Sequence, residues 1–549
     1  MKANLIQEIP ELTAKVVKAA FPKGNKVVTI RDELGVIFAD ADFAELYAKR
    51  GQPGVSPSQL AMVTLLQYME DLPDRQAAEA VRSRIDWKYA LGLELTDAGF
   101  DYSVLSEFRQ RLVDGEVEHL LFEKLLEACA DKELLGGKKK QRTDSTHVLG
   151  AIRQMSLLEL VGEAMRRVLN QLAQVAPTWL EPLVESEWTK RYGRRFDGYR
   201  LPKSKEKREE LARQIGQDGH KILSAASLTD APDAVQSLPL MDVLRRIWVQ
   251  QFYCDGQQVH WRTKKQWGQP KAGDMLASTT DLDARYSAKR QMEWQGYKVH
   301  LTETCDPEHP RLITQVTTTV ATVHDCKATN VIQQSLDNGD LLPEEHLVDM
   351  GYVEADLLVS SQKRGVDLVA PVPSDKSWQE RQPDAYDHTQ FDIDWESQVA
   401  TCPNGKQSIT YSERTTRRGS LNVMFKFAPS DCQACPVRSL CTRAKTVGRG
   451  LTVYPQAEYE ALVAARERQK TEAFKQCYSA RAGIEGTISQ AVRKFDVRHN
   501  RYLGLAKTYL QHLATAAALN LTRIADWLDG VRPKTTTIPP FVALANSLQ

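Results

Sequence analysis

Residues 296–304, GYKVHLTET, set Tyr297, Val299 and Leu301 in alternation with Lys298, His300 and Thr302, the pattern of a half-buried β-strand. The stretch after it, 312–323, LITQVTTTVATV, is rich in β-branched residues and reads as the neighbouring strand. ATNVIQQSL at 328–336 then reads as a helix. Next come EEHLVDMGY (344–352), EADLLVSSQKRG (354–365) and VDLVAPV (366–372), a strand, a helix and a strand in the order of a parallel βαβ unit. Upstream, TDSTHVL at 143–149 supplies one more β-type run. A mixed α/β core follows, its strands scattered along the chain.

Around this core the chain is helical. In SPSQLAMVTLLQYMED (56–71), Ser-Pro marks a helix start, and Met62, Leu65, Leu66 and Met69 recur at helical spacing. PDRQAAEAVRSR (73–84) and the segment 103–135 continue the pattern, and the Gly-Gly-Lys-Lys-Lys run at 136–140 reads as a linker. Two insertions interrupt the core: a helical, basic one over about 150–270 and a Cys-bearing, strand-poor one over about 373–455. The last part, about 458–528, is mostly helical.

With 549 residues the chain has ample length for a large core. No run approaches the ~18 apolar residues of a membrane span, and the first residues lack the apolar centre of a signal peptide. Nine Cys in such a chain are expected as thiols or metal ligands of a cytoplasmic protein. Net charge, +1 from 72 basic and 71 acidic residues, neither suggests nor excludes a polyanionic partner. Local charge says more. Residues 188–213 hold ten Lys/Arg against four Asp/Glu, with Trp188, Tyr192, Phe196 and Tyr199 among them. Residues 481–507 hold six against two, including Arg493, Lys494, Arg498 and Arg501. Such stretches suit phosphate contacts and base stacking, or else are solvated helical faces.

Groups at the C-terminal ends of neighbouring strands converge on one crevice. Asp144 in the first core strand and Asp349 after Leu347-Val348 meet that description. A third carboxylate completes a set able to hold two Mg²⁺ ions for phosphodiester chemistry, and Glu485 is the candidate. Tyr478, Arg481 and Glu485 fall on one face of a late helix and offer a phenol, a guanidinium and a carboxylate to one DNA backbone. Singly, each acid has a plainer reading as a turn, cap or surface residue; the sequence neighbourhoods decide.

STTDLDARYSAKRQMEWQGYKVHLTET (278–304), LVDMGYVEADLL (347–358) and the segment 478–524 beginning YSARAGIEG resemble bacterial insertion-sequence transposases with a ribonuclease H-like DDE core. The segment 56–95, with LSEFRQRL at 105–112, is similar to the helical N-terminal domain of the same family. The resemblance implies a helical DNA-binding domain over 1–135. It implies a ribonuclease H-like catalytic domain over 136–545, interrupted by the insertions at 150–270 and 373–455. By the same resemblance Asp144 in RTDSTH, Asp349 in VDMGY and Glu485 in RAGIEG are the catalytic, Mg²⁺-binding acids, with Mn²⁺ as substitute. Tyr478 and Arg481 match the Tyr-x2-Arg-x3-Glu part of a signature from a related transposase group. That signature expects a basic residue seven positions after the Glu, where this chain has Val492, with Arg493 and Lys494 beyond. The implied chemistry is cleavage at transposon ends and attack of the freed 3′-OH on target DNA, by a homodimer assembled on double-stranded DNA with terminal inverted repeats. A catalytically inactive DNA-binding relic and a nuclease of the same fold without strand transfer are the competing readings.

Cys402, Cys432, Cys435 and Cys441 form C-x29-C-x2-C-x5-C, a set that makes either a tetrahedral Zn²⁺ site or a group of reduced thiols. Cys129, Cys254, Cys305, Cys326 and Cys477 lack ligand spacing and are expected as packing residues. Lys289, Arg290, Lys298 and His300 around Trp294 are candidates for phosphate positioning. His147 and the His324-Asp325 pair have weaker claims. No GxxxxGK[ST] loop or nucleophile elbow is present, so nucleotide hydrolysis and acyl transfer are disfavoured.

Overall fold

A computed structural model describes residues 8–48, 54–136, 139–256, 258–263, 268–416 and 419–532, with 541 and 544. Gly137 and Lys138 of the linker run, and the first seven residues of the N-terminal stretch, lie outside the described residues. Among the described residues before the sheet lie seven α-helices: α1 (Glu11–Ala20), α2 (Lys26–Leu34), α3 (Pro57–Met69), α4 (Asp74–Ser83), α5 (Ile85–Leu91), α6 (Ser103–Asp114) and α7 (Leu120–Asp131). α3 starts where the sequence indicates, with Pro57 in its first turn and the Ser56 side chain accepting from Gln59 N. It is not one-faced, however. Leu60, Ala61, Val63, Leu65, Leu66 and Tyr68 are all buried, because helices pack around it on every side.

β1 (Lys140–Leu149) opens the central sheet, and β2 (Arg285–Lys289), β3 (Met292–Thr304), β4 (Ile313–Val320), β5 (Glu345–Leu347) and β6 (Asp367–Val369) complete it. β3 runs antiparallel to β1 on one edge; on its other edge it carries β2 and then β4. On the far side of β1, β5 and then β6 join in parallel. α8 (Leu157–Val175), α9 (Lys205–Ala226) and α10 (Pro239–Gln251) lie between β1 and β2 in sequence and pack on one another around their own apolar cluster. α11 (Cys326–Asn338) follows β4, and α12 (Ala355–Lys363) links β5 to β6. This mixed sheet with a helical N-terminal region is consistent with a ribonuclease H-like core.

β3 departs from the half-buried expectation. Its apolar side chains enter the main core, but His300 and Thr302 are buried as well. Both sheet faces are covered, and the polar side chains bond to each other: His300 Nδ1 to the Tyr352 hydroxyl (2.7 Å) and Thr302 to the Thr143 hydroxyl (2.7 Å).

The Cys-bearing segment is not strand-poor. It contains β7 (Asp392–Asp394), β8 (Val399–Thr401), β9 (Ser408–Thr415), β10 (Leu421–Phe427) and β11 (Gly450–Val453), with Phe391, Val423, Phe425, Phe427, Leu451 and Val453 in a separate core. β9, SITYSERT, keeps many side chains exposed, which hid its strand character.

After the Cys-bearing segment come α13 (Gln456–Arg468), α14 (Glu472–Ser479), α15 (Gly483–Phe495) and α16 (Leu505–Leu528). α16 lies between the N-terminal helices and the sheet, touching α2, α3, α7 and β4. Asn520 within it is fully buried and bonds both N and O of Ile313 (2.8 Å each), satisfying backbone groups of β4. One continuous apolar cluster therefore runs from Val27 on α2 through Tyr297, Val299 and Leu301 to Ala525. Among the described residues, no helix is long and apolar enough to cross a membrane.

Candidate active site

Side chains two residues apart on a strand share a face, so Arg142 and Asp144 of β1 project together toward the segment that leads into α15. The Asp144 carboxylate accepts from the Ser145 backbone N–H (2.8 Å) and from Arg481 Nη2 (2.6 Å). Burial raises its pKa above the ordinary carboxylate value, and the Arg481 charge opposes that rise. Asp349 follows β5 and caps a short turn over Met350–Tyr352, its Oδ1 accepting from Gly351 N (2.7 Å). A Cβ at position 351 would stand 2.9 Å from that oxygen, so glycine lets the turn close on its own cap. Asp349 Oδ2 lies 4.0 Å from Arg481 Nη2. Glu485, on the first turn of α15, accepts from Arg481 Nη1 (3.2 Å) and leaves 68% of its side chain exposed.

Three carboxylates from β1, the end of β5 and α15 thus face one guanidinium. Their negative charge exceeds what Arg481 neutralises, and hard oxygen donors in excess suit a divalent cation. Arg481 stands among them as a cationic group, with its Nε buried and without a hydrogen-bond partner. As they stand, no three His, Cys, Asp or Glu among the described residues are grouped to hold a metal ion, these acids and the four cysteines of the later segment included.

The helix expected to carry Tyr478, Arg481 and Glu485 together is continuous in its dihedrals but tightens midway: Tyr478 lies in the last turn of α14, Arg481 in a 3-10 turn over Ala480–Ala482, and Glu485 in the first turn of α15. This run keeps all three near the acids. Tyr478 stacks on Phe474 (centroids 5.4 Å, 9°), and burial raises its phenol pKa, with the charges of Asp349, Asp144 and Glu485 adding to the rise.

The other candidates are dispersed. Lys289 and Arg290 are exposed at the β2–β3 turn, and the Lys289 charge reaches Asp144. Lys298 is tied to Asp325 (2.9 Å), which accounts for that lysine and for the acid of the His324-Asp325 pair, while His324 is exposed. Arg498 donates to Thr146 Oγ1 of β1 (2.9 Å), whereas Arg501 pairs with Asp71 and covers the Tyr68 ring. Arg493 is exposed, Val492 packs against the main core, and Lys494 reaches Thr522 of α16 (3.4 Å). His147 packs on Trp294, and burial lowers its pKa to about 4.

The aromatics of the basic stretch 188–199 are not a stacking surface. Trp188, Tyr192 and Phe196 are buried in the cluster around α8, and only Tyr199 is exposed. Helical spacing over 188–196 serves packing here. Cys402, Cys432, Cys435 and Cys441 line one small cavity together as free thiols. Burial pushes the Cys441 thiol up to about 11. Of the remaining cysteines, Cys254 is exposed rather than packed.

Sequence reasoning missed Glu303, a fully buried carboxylate beside the site, bonded to Arg142, Arg523 and Thr487. A Glu directly opposite an Arg across two strands was the available signal, but the pairing register is fixed only by folding.

Comparison with known proteins adds two matches. A family model described as transposase DDE domain matches residues 401–525, and one described as transposase domain (DUF772) matches residues 15–111. The first includes the four clustered cysteines, Tyr478, Arg481 and Glu485, and begins after Asp144 and Asp349. No curated protein and no solved structure matches. A transposase DDE domain implies use of a divalent metal, typically Mg²⁺, and action on DNA. These two matches, on separate parts of the chain and in the order that the sequence resemblance requires, support an insertion-sequence DDE transposase.

Proposed function

We propose that Asp144, Asp349 and Glu485 form the centre of a metal-dependent transposase that cuts DNA at transposon ends and joins the freed 3′ ends to target DNA. In the first step water attacks the scissile phosphorus and the bond to the 3′ oxygen breaks, leaving a 3′-OH and a 5′-phosphate. In the second, that 3′-OH attacks a target phosphodiester, gives up its proton and displaces the target's own 3′ oxygen. Asp144, Asp349 and Glu485 would hold Mg²⁺, which when bound would activate the attacking oxygen and neutralise charge at phosphorus. Arg481 offers its guanidinium to the DNA backbone, Tyr478 and Lys289 border the same acids, and Arg498 lies further along β1 at Thr146. Two transposon ends held for joining call for a homodimer on DNA, acting at the nucleoid.

The observation that carries this reading is that three acids, remote along the chain, converge on Arg481. Purified protein is expected to nick DNA bearing its own terminal repeats in Mg²⁺ or Mn²⁺. Asp144→Asn and Glu485→Gln should abolish nicking and leave DNA binding intact. Normal cutting by the Asp144 variant would remove that residue from the centre, and cutting without joining would favour a nuclease.

We infer further that Cys402, Cys432, Cys435 and Cys441, which line one cavity without being grouped to hold a metal as they stand, would close on Zn²⁺ in a tetrahedral site that staples a small core. Protein purified under reducing conditions should carry zinc, and Cys435→Ser should lower both the metal content and the protection of 391–453 from hydrogen exchange. Zinc-free protein of unchanged stability would leave a cluster of reduced thiols.

A further inference from the structure

Arg142 and Glu303 stand directly opposite each other in the antiparallel β1–β3 pair. Glu303 is fully buried, and both its oxygens are used. Oε1 accepts from Arg142 Nε (2.7 Å), and Oε2 accepts from Arg523 Nη1 of α16 (2.8 Å) and from the Thr487 hydroxyl of α15. Arg142 Nη1 donates to the Ala480 carbonyl. Arg523 reaches back to α15 through Nη2 to Thr487 Oγ1 (2.6 Å) and Nε to Gln490 Oε1 (3.0 Å). Gly483 lies so close to Arg142 that a Cβ there would meet the guanidinium at 2.0–2.4 Å.

These contacts fall on Ala480, Gly483, Thr487 and Gln490, spaced three, four and three residues apart along one side of the segment. Arg481 and Glu485 are offset from that stripe and reach the acids. Glu485 and Thr487 are two residues apart, roughly 200° around the helix axis. One side of α15 is therefore gripped by a buried Arg–Glu–Arg cluster, and the other presents the centre.

From this geometry we propose that Glu303 is a positioning residue: by holding Arg142 and Arg523 it fixes the seating of α15 and so places Glu485 and Arg481 over Asp144. The proposal rests on the reading of Asp144, Asp349 and Glu485 as the centre. A buried ion cluster by itself argues only weakly for stability, because apolar replacements are often as stable. The grip on α15 gives the charge a purpose. A misplacement of about 1 Å in a catalytic group can cost about 100-fold in rate, and altering an outer partner of a metal ligand typically costs about 10- to 100-fold in metal affinity.

The test uses the full chain and Mn²⁺ alone, with binding followed by electron paramagnetic resonance without DNA, alongside the Mg²⁺ dependence of nicking. Three variants probe the cluster. Glu303→Gln removes the charge, Thr487→Val removes one donor, and Gly483→Ala removes no charge and favours helix, but wedges α15 away from Arg142. Each is expected to keep DNA binding and to raise the metal half-saturation by about tenfold or more, with nicking partly restored at high Mn²⁺. A purely structural role would lower the active fraction without moving that half-saturation. If Glu303→Gln fails to fold, Gly483→Ala and Thr487→Val decide. Unshifted metal binding in folded variants, with Asp144→Asn losing its Mn²⁺, overturns the positioning role alone. Wild-type protein that binds no Mn²⁺ overturns the reading of the centre, and the positioning role with it.

Discussion

At the scale of single residues, the proposed centre carries a cost to folding. Asp144 is largely buried, and its pKa is raised chiefly by that burial. The sign follows from linkage: stability contributed by such a group is present below the ordinary carboxylate range and is lost as pH rises through the raised folded value. At neutral pH, therefore, the ionised side chain weakens the fold. Asp144→Asn is expected to melt at or above the wild-type temperature while nicking is lost, checked by calorimetry near neutral pH. A fall of more than about 5 °C would show that the pairing with Arg481 outweighs desolvation. The roles of Asp144 and Arg481 were suggested by their neighbours in sequence, RTDSTH and RAGIEG. Glu303 was hidden within an ordinary strand, because Arg523 lies 220 residues away and only tertiary packing brings it near.

Elements show where periodicity suffices and where it misleads. The order of strands and helices from 296 to 372 is readable because alternation and β-branching coincide with turn residues. The 3-10 turn between α14 and α15 is less so, since Tyr478, Arg481 and Glu485 fit an α-helix throughout equally well. Residues 188–196 mislead in the other direction: aromatics among basic residues resemble a nucleic-acid surface, but the rings pack inward. The helices around α8 depend on close approach. Cβ atoms at Gly216 and Gly219 of α9 would lie 2.5 Å from Phe252 and 2.0 Å from Trp248. Gly219→Ala should thus destabilise this unit by about 1–3 kcal/mol despite the better helix propensity of alanine. Hydrogen exchange over 157–261 would detect the change as faster local opening, and unchanged exchange would mean that the Trp248 ring has room to move.

For the molecule as a whole, buried histidines set an acid limit. Burial lowers His300 and His346 to about 4 and His512 to about 3. A base held neutral in the fold contributes stability above its unfolded pKa, near 6.5, and loses it as pH falls toward the folded value. Between about 6.5 and 4, unfolding should take up to about three protons from these groups, each adding about 1.4 kcal/mol per pH unit to the loss. Denaturation midpoints measured across that interval test this, and His512→Gln should flatten the slope; a pH-independent midpoint would contradict it. The central place of α16 also bears on synthesis. On a ribosome the N-terminal helices emerge long before residues 505–528, so the apolar surfaces of α3 and α7 wait for a partner made some 400 residues later. A fragment limited to residues 15–111 should accordingly be sticky and poorly ordered on its own, and capture of the late helix is the event that closes the molecule.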